Sequence, residues 1–326
     1  MIRLGLIGCG EHAEGGHAVP LVRYQRLHPG EVELTAACDL NVKRAQTFCQ
    51  KYGFLQAYGL MDEMLAKNAL DGCIAVVPVE RIPEVGIRLL ERRIACVVEK
   101  PLGASLADVR TLLAAAHSTG TPNMVSVNRR FMPFLNRALE WSRTAGSLRY
   151  VRCLLARHAR TEPEFLWGTA VHAVDTMRHL AGEVAATDIR LLQSEGGSAA
   201  WYTIDLRFSS GVSGRIDVVP TTGMLDETYE LMGEGFRAQI TCPFGPRRGW
   251  RGFRENRVEI EEYESAETPE DVLNGFYDET SCFIRTLAST QDLRPSIEDV
   301  FPSVELCLNM AKKINQQTES VAPVSH

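Results

Sequence analysis

The chain has 326 residues, 45% of them hydrophobic and 23% charged, which is enough apolar material for two domains with separate cores and an ordinary globular composition. Its formal net charge of −6 argues against a nucleic-acid surface, and no apolar run approaches the roughly 20 residues of a membrane span. Nine cysteines without C-x-x-C spacing, and an opening without a signal-peptide pattern, point to reduced, buried thiols in a cytoplasmic protein and away from a disulfide framework or zinc site.

Residues 2–17 read IRLGLIGCGEHAEGGH. The apolar run Ile2, Leu4, Leu6, Ile7 breaks into Gly8, Cys9 and Gly10, then into a segment that can start a helix. Strand, tight turn and helix N-terminus follow in the order of a dinucleotide-binding βα unit. Gly8 lets the chain turn, Gly10 brings no Cβ against a pyrophosphate, and Ala13 fills the third small position. Unpaired N–H groups and the positive end of the helix dipole then face the phosphates. A second apolar run, residues 32–38, ends on Asp39, where a carboxylate grips the adenosine ribose and repels a 2′-phosphate. NAD is favoured, and Lys43 and Arg44 just beyond keep NADP open. Asp39 also reads as the N-cap of the helix that follows.

Further strands are expected at 72–77, 94–98 and 124–128, separated by amphipathic stretches. Continuous apolar runs of this kind belong to a parallel sheet covered on both faces, so residues 1–128 read as a doubly wound α/β Rossmann domain. Ser105 begins a helix that stops at Gly120. Near residue 129 the rhythm changes. Residues 133–144 read as a connecting helix; WYTIDLRF, VSGRIDVV and the pair within YELMGEGFRAQITC then alternate as strands of an open, mostly antiparallel sheet, giving a second α+β domain over 129–326. Trp201, Val219 and Met232 would put apolar area on the sheet's other face, for a helix or partner subunit to cover. RRGWRGFRENR, residues 247–257, is basic with two aromatics, and its acidic flank and the net charge favour a solvated or subunit-contacting loop over nucleic-acid contact, with an anionic substrate group as the option between them. Ser296 caps a final helix over 297–316, with Lys312 and Lys313 at its end, that can pack on either domain; the tail SVAPVSH has nothing to hold it.

Two constellations bear on chemistry. Glu99, Lys100 and Pro101 close the fifth apolar run, at the carboxyl edge where ligands of such sheets lie. Pro101 restricts Lys100 to an extended backbone and helps to aim it; the alternative is a solvated lysine before a turn. In WGTAVHAVDTMRHLAG, residues 167–182, helical spacing puts His172, Asp175 and His179 on one face. A carboxylate one turn from a histidine can fix its tautomer and raise its basicity, which suits proton removal from a hydroxyl. A structural histidine and an Asp175–Arg178 ion pair compete with that reading.

The order GLIGCG, AACD, VVEKPLG, NRRF, H-x-x-D, followed by a strand-rich half, resembles the glucose-fructose oxidoreductase, inositol dehydrogenase and MocA (Gfo/Idh/MocA) family over residues 2–316. The resemblance implies a nicotinamide cofactor, sugar or polyol substrates, and homodimers or homotetramers formed through the sheet. It assigns Lys100 to substrate and nicotinamide ribose and His172 to general acid–base work. Two positions depart from the family pattern: Gly168 stands where many members have Asp, and Val79 and Ile82 replace polar residues after the third strand. The candidate cofactor set is Gly8, Gly10, Glu11, His12, Ala13, Asp39, Pro78, Glu99 and Lys100; the catalytic set is Lys100, His172 and Asp175, with no metal. The expected reaction is hydride transfer between nicotinamide C4 and a carbinol carbon, with His172 exchanging the hydroxyl proton, Lys100 holding the oxygen and Asp175 assisting. A cofactor-binding sensor without turnover, and glycoside cleavage through transient oxidation, are the alternatives.

Overall fold

The computed structural model describes residues 1–192, 199–289 and 292–321. The chain forms two compact units, Met1–Asn128 with Glu270–Pro302, and Arg129–Pro269 with the residues from Ser303 onward.

The first unit is built on six parallel strands, β1 Ile2–Ile7, β2 Val32–Cys38, β3 Gln56–Tyr58, β4 Gly72–Ala75, β5 Ala95–Glu99 and β6 Asn123–Ser126. Their order is β3-β2-β1-β4-β5-β6, so the connection reverses direction between β1 and β4. Leu4, Leu6, Cys73, Ile74, Val97, Val98 and Val125 are buried, as a sheet covered on both faces requires. β3 has only three residues and carried no readable apolar pattern. The helix Leu106–Thr119 starts and stops where expected: Ser105 Oγ accepts from the Asp108 amide at 3.2 Å, and Gly120 ends it at φ +58°. Residues 270–302 return to this unit. There the Asp271 carboxylate accepts two hydrogen bonds from Arg23, at 2.6 and 2.8 Å, and the Pro295 carbonyl accepts from the Val125 amide at 2.8 Å.

The second unit carries eight strands: β7 Leu148–Ala156, β8 Val184–Leu192, β9 Trp201–Phe208, β10 Ser213–Val219, β11 Asp226–Gly233, β12 Phe236–Thr241, β13 Gly249–Arg254 and β14 Arg257–Tyr263. They are ordered β14-β13-β12-β11-β7-β10-β9-β8, with only β7 and β10 parallel among the described pairs. One face packs against the helices Pro133–Ala145 and Val171–Ala181. Glycines make room for them: a Cβ on Gly252 would come within 2.9 Å of the Trp141 ring, and one on Gly214 within 3.0 Å of Met177.

Several expectations need correction. Residues 247–257 form β13 and the start of β14, turning at Glu255 and Asn256 (φ 51° and 59°), because Trp250 is buried and its indole N–H donates to Glu262 at 2.8 Å. A row of charged and polar side chains, Glu261, Arg251, Gln239, Glu230, Arg152, Arg215, Asp205 and Asp188, crosses all eight strands on the sheet's other face; strand alternation puts Trp201, Val219 and Met232 on that face as well, Val219 buried and the other two partly exposed. The last helix runs Ile297–Val321, past Lys312 and Lys313, with the division between units falling after Pro302. Residues 322–326 of the tail lie outside the described residues. The stretch 167–182 is two helices, Phe165–Gly168 and Val171–Ala181, which puts His172 in a first turn.

Candidate functional site

In the first unit the glycine turn leaves β1 with Gly8 at φ +92°, its amide donating to the Cys38 carbonyl at 2.7 Å. A Cβ there would lie 1.9 Å from the Val76 carbonyl oxygen, so only glycine lets the turn pass the end of β4. A Cβ on Gly10 would have no atom within 4 Å, which leaves open the space a phosphate needs. Glu11 and His12 are exposed at the helix start, and Ala13 is fully buried beneath them.

Asp39 follows β2 and folds back onto this turn. Its Oδ2 accepts from the Cys9 amide at 3.0 Å and its Oδ1 from the Asn41 amide at 2.8 Å, with Arg44 at 3.5 Å. The cap of the next helix is Asn41, whose side chain accepts from the Arg44 amide at 3.3 Å, so Asp39 is not the cap. Each carboxylate oxygen keeps a lone pair for ribose hydroxyls. The turn, the open position at Gly10 and the acid at the second strand tip fit a dinucleotide at the point where the strand order reverses. Pro78 leaves β4 in an extended conformation (φ −52°, ψ 148°), Ile82 is buried, and Val79 is partly exposed.

Glu99 ends β5 buried. The Nε2 atoms of His12 and His17 lie 3.1 and 2.7 Å from its Oε1, and His17 faces inward from a π-helical turn, Glu14–Ala18. Burial works to raise this carboxyl, but the hydrogen bonds and charge of the two histidines outweigh it and hold it well below the usual carboxylate range. The three ligand atoms lie within 4.8 Å of one another, close enough to hold a divalent ion, although the contacts already satisfy the oxygen as hydrogen bonds. Glu99, expected at the cofactor, is thus committed to His12 and His17. Lys100 emerges partly exposed, one residue beyond β5, on the carboxyl edge that also carries Gly8. Its peptide bond to Pro101 is cis.

In the second unit His172 is buried in the first turn of Val171–Ala181, and the Thr176 hydroxyl donates to its carbonyl at 2.7 Å. Arg129 Nη1 lies 3.4 Å from His172 Nε2. Asp175, expected to orient His172, accepts instead from Arg130 at 2.7 and 2.8 Å and from Ser303 Oγ at 2.8 Å, with Arg178 at 3.9 Å. Helical spacing places the two side chains on one face but does not say what stands opposite. Gly168 has room for a Cβ, whose nearest atom would be Glu164 Cβ at 3.9 Å.

A cluster missed in the sequence surrounds Glu227. This fully buried carboxylate accepts from Arg129 (3.2 Å to each oxygen), Arg157 (2.6 Å) and the Tyr229 hydroxyl (2.7 Å). One signal was available: in DETYELMG, Glu227 shares parity with Tyr229 and Leu231, which puts a charge on the inward face of an alternating strand.

His179 has a different environment. Burial, reinforced by the charge of Arg130, pushes it from 6.5 down to about 4, and its Nε2 has no hydrogen-bond partner among the described residues. The unfolded ring takes its proton near 6.5 and the folded ring only near 4, so this contribution to stability is complete above 6.5 and shrinks as the pH falls toward 4. Thermal unfolding across that interval is expected to fall less steeply for His179→Gln. An identical slope in the variant would remove His179 as a source of the acid sensitivity.

A glycine turn at the sheet's reversal point and an acid at the second strand tip define a Rossmann-type class of nucleotide-binding fold. Residues 2–128 match the family described as "Oxidoreductase family, NAD-binding Rossmann fold" (GFO_IDH_MocA). The chain is 32% identical over 237 residues to trans-1,2-dihydrobenzene-1,2-diol dehydrogenase of Bos taurus, covering 65% of this chain and 67% of that one. Similarity to D-apiose dehydrogenase of Paraburkholderia graminis is 28% over 203 residues, 57% of this chain, and spans about half (53%) of that relative's length. A Gfo/Idh/MocA oxidoreductase from Vibrio cholerae shares the fold, with TM-score 0.83 and 18% identity over 98% of this chain and 100% of that one. The protein belongs to the Gfo/Idh/MocA family.

Proposed function

We propose that the protein is an NAD-dependent dehydrogenase acting on a CH–OH carbon of a sugar, cyclic polyol or vicinal diol. The observation that carries this reading is the first unit's carboxyl edge, where Gly8, the open position at Gly10, Asp39 and Lys100 stand on the ends of β1, β2 and β5. The names of the relatives support the substrate class, since one denotes a sugar and the other a cyclic 1,2-diol. Bound NAD would supply a hydride acceptor at nicotinamide C4. Asp39 holds ribose hydroxyls, the amides after Gly8 face the phosphates, and Lys100 holds the reacting hydroxyl. Asp175 has no part in this proposal, because Arg130 and Ser303 occupy its carboxylate. NADP remains the second candidate because Arg44 stands beside Asp39. A cytoplasmic homodimer or homotetramer belongs to the same proposal. Buried thiols support the compartment: burial pushes Cys9 up to about 12 and Cys38 up to about 11.

The test is reduced-nicotinamide absorbance with the full chain, NAD or NADP, and a panel of sugars, polyols and diols headed by those the relatives' names give. Accumulation of the reduced cofactor with one of them is the expected result. Tight nucleotide binding without any absorbance change would replace this reading with a sensor. Product formed without accumulation would replace it with transient oxidation.

A further inference from the structure

His12, His17 and Glu99 form a cluster that the dehydrogenase reading does not use. All three belong to the first unit, as does Phe276 beside them. The two imidazole Nε2 atoms converge on one carboxylate oxygen, Glu99 Oε1, at 3.1 and 2.7 Å, and the three atoms lie within 4.8 Å of one another.

Metal ligation asks for this arrangement at nearly this spacing. Zinc takes imidazole nitrogen and carboxylate oxygen at about 2.0–2.2 Å, so two ligand atoms on one edge of its tetrahedron stand about 3.3–3.5 Å apart. Each imidazole would back away from Oε1 by a fraction of an ångström to admit the ion. Two histidines and one glutamate are also a ligand set that leaves one zinc position open. Imidazole nitrogens select a transition metal over magnesium or calcium, which prefer oxygen.

The ligands are held in place. Glu99 closes β5 and is buried. The His17 side chain is 3% exposed and is turned inward by the π-helical turn Glu14–Ala18, a distortion frequent at functional sites. The His12 side chain is 53% exposed, which gives an ion a way in and supplies water for the open position. Its ring is nevertheless packed, edge-on to Phe276 at 6.2 Å and with its Cε1 3.4 Å from where a Cβ on Gly16 would stand.

We propose that His12, His17 and Glu99 are a binding site for a divalent transition-metal ion of the zinc type, which clamps the helix start after Gly10 to the end of β5. In the hydrogen-bonded form each Nε2 carries the proton it donates to the carboxylate. On binding the ion, each Nε2 gives up that proton to its own Nδ1 or to solvent. The pairs span 87 and 82 residues, so no metal-ligand spacing marks them in the sequence.

The test is titration of the chelator-stripped full chain with zinc chloride, in competition with a chromogenic chelator. One equivalent of zinc is expected to bind. Affinity is expected to fall about 10²-fold or more in His12→Gln and in His17→Gln, at least the effect of losing an outer-shell partner. Cobalt chloride in place of zinc is expected to give visible d–d bands without thiolate charge-transfer absorption, which separates this site from the nine cysteines. Circular dichroism checks the fold of both variants, and His12→Gln, at an exposed position, decides the matter if His17→Gln does not fold. Absence of stoichiometric binding, a thiolate spectrum with cobalt, or undiminished affinity in His12→Gln would leave the three residues as a hydrogen-bonded triad only and overturn the proposal. The measurement uses neither nucleotide nor substrate, so its outcome is independent of the dehydrogenase reading.

Discussion

Gly8→Ala is expected to destabilise the protein by about 2–5 kcal/mol and to abolish NAD binding. At φ +92° an alanine is strained whatever its surroundings. The new methyl would also lie 1.9 Å from the Val76 oxygen and 2.8 Å from its carbonyl carbon, both backbone atoms with no rotamer to escape into. That carbonyl cannot move away freely, because the Val76 amide donates to Ile7 at 2.7 Å and extends the β1–β4 pairing. The variant must therefore open the ladder or displace the turn. Gly10→Ala provides the contrast: its φ is −83° and its Cβ would touch nothing within 4 Å, so it is expected to fold normally yet bind NAD poorly. Thermal unfolding and titration calorimetry with NAD separate the two effects. If Gly8→Ala melts and binds like the parent, this turn does not cradle the nucleotide.

Lys100→Met carries the second large effect. Methionine keeps the length of the side chain and removes the ammonium, so the buried β5 leading to it is not disturbed. Turnover is expected to fall about 10²–10⁴-fold, the range for a group that handles a proton or holds the reacting oxygen. NAD affinity should change little, because the turn and Asp39 are untouched. Pre-steady-state absorbance of reduced nicotinamide, paired with NAD titration, reads both quantities. A variant that keeps full single-turnover rates would take Lys100 out of the chemistry, while one that loses NAD binding in proportion would make it a cofactor anchor.

The parts of the molecule legible in the sequence are those set within a few residues. GLIGCG encodes strand, turn and helix start because φ and Cβ constraints act on adjacent residues. The helix signals at Ser105 and Gly120 are equally local, a side-chain oxygen bonded three residues on and a left-handed stop. Residues 247–257 misled because a high density of charge normally marks solvent. Here the arginines alternate with Trp250 and Phe253, and the glycine between them accommodates the ring of Trp141, more than a hundred positions earlier in the chain.

By itself, the sequence determined the class of fold, the glycine turn after the first strand and the strand end that carries Lys100, since backbone preference and hydrophobic period are written in neighbouring residues. Only the tertiary structure decided what each charged side chain is bonded to. Glu99 went to His17, 82 residues away; Asp175 went to Arg130 and to Ser303, 45 and 128 residues away; and Arg129 was aimed at His172 through Glu227, 98 residues further along. The reason is physical: a buried charge must find a counter-charge or a donor wherever the packed chain provides one, and strand pairing and helix packing set that location.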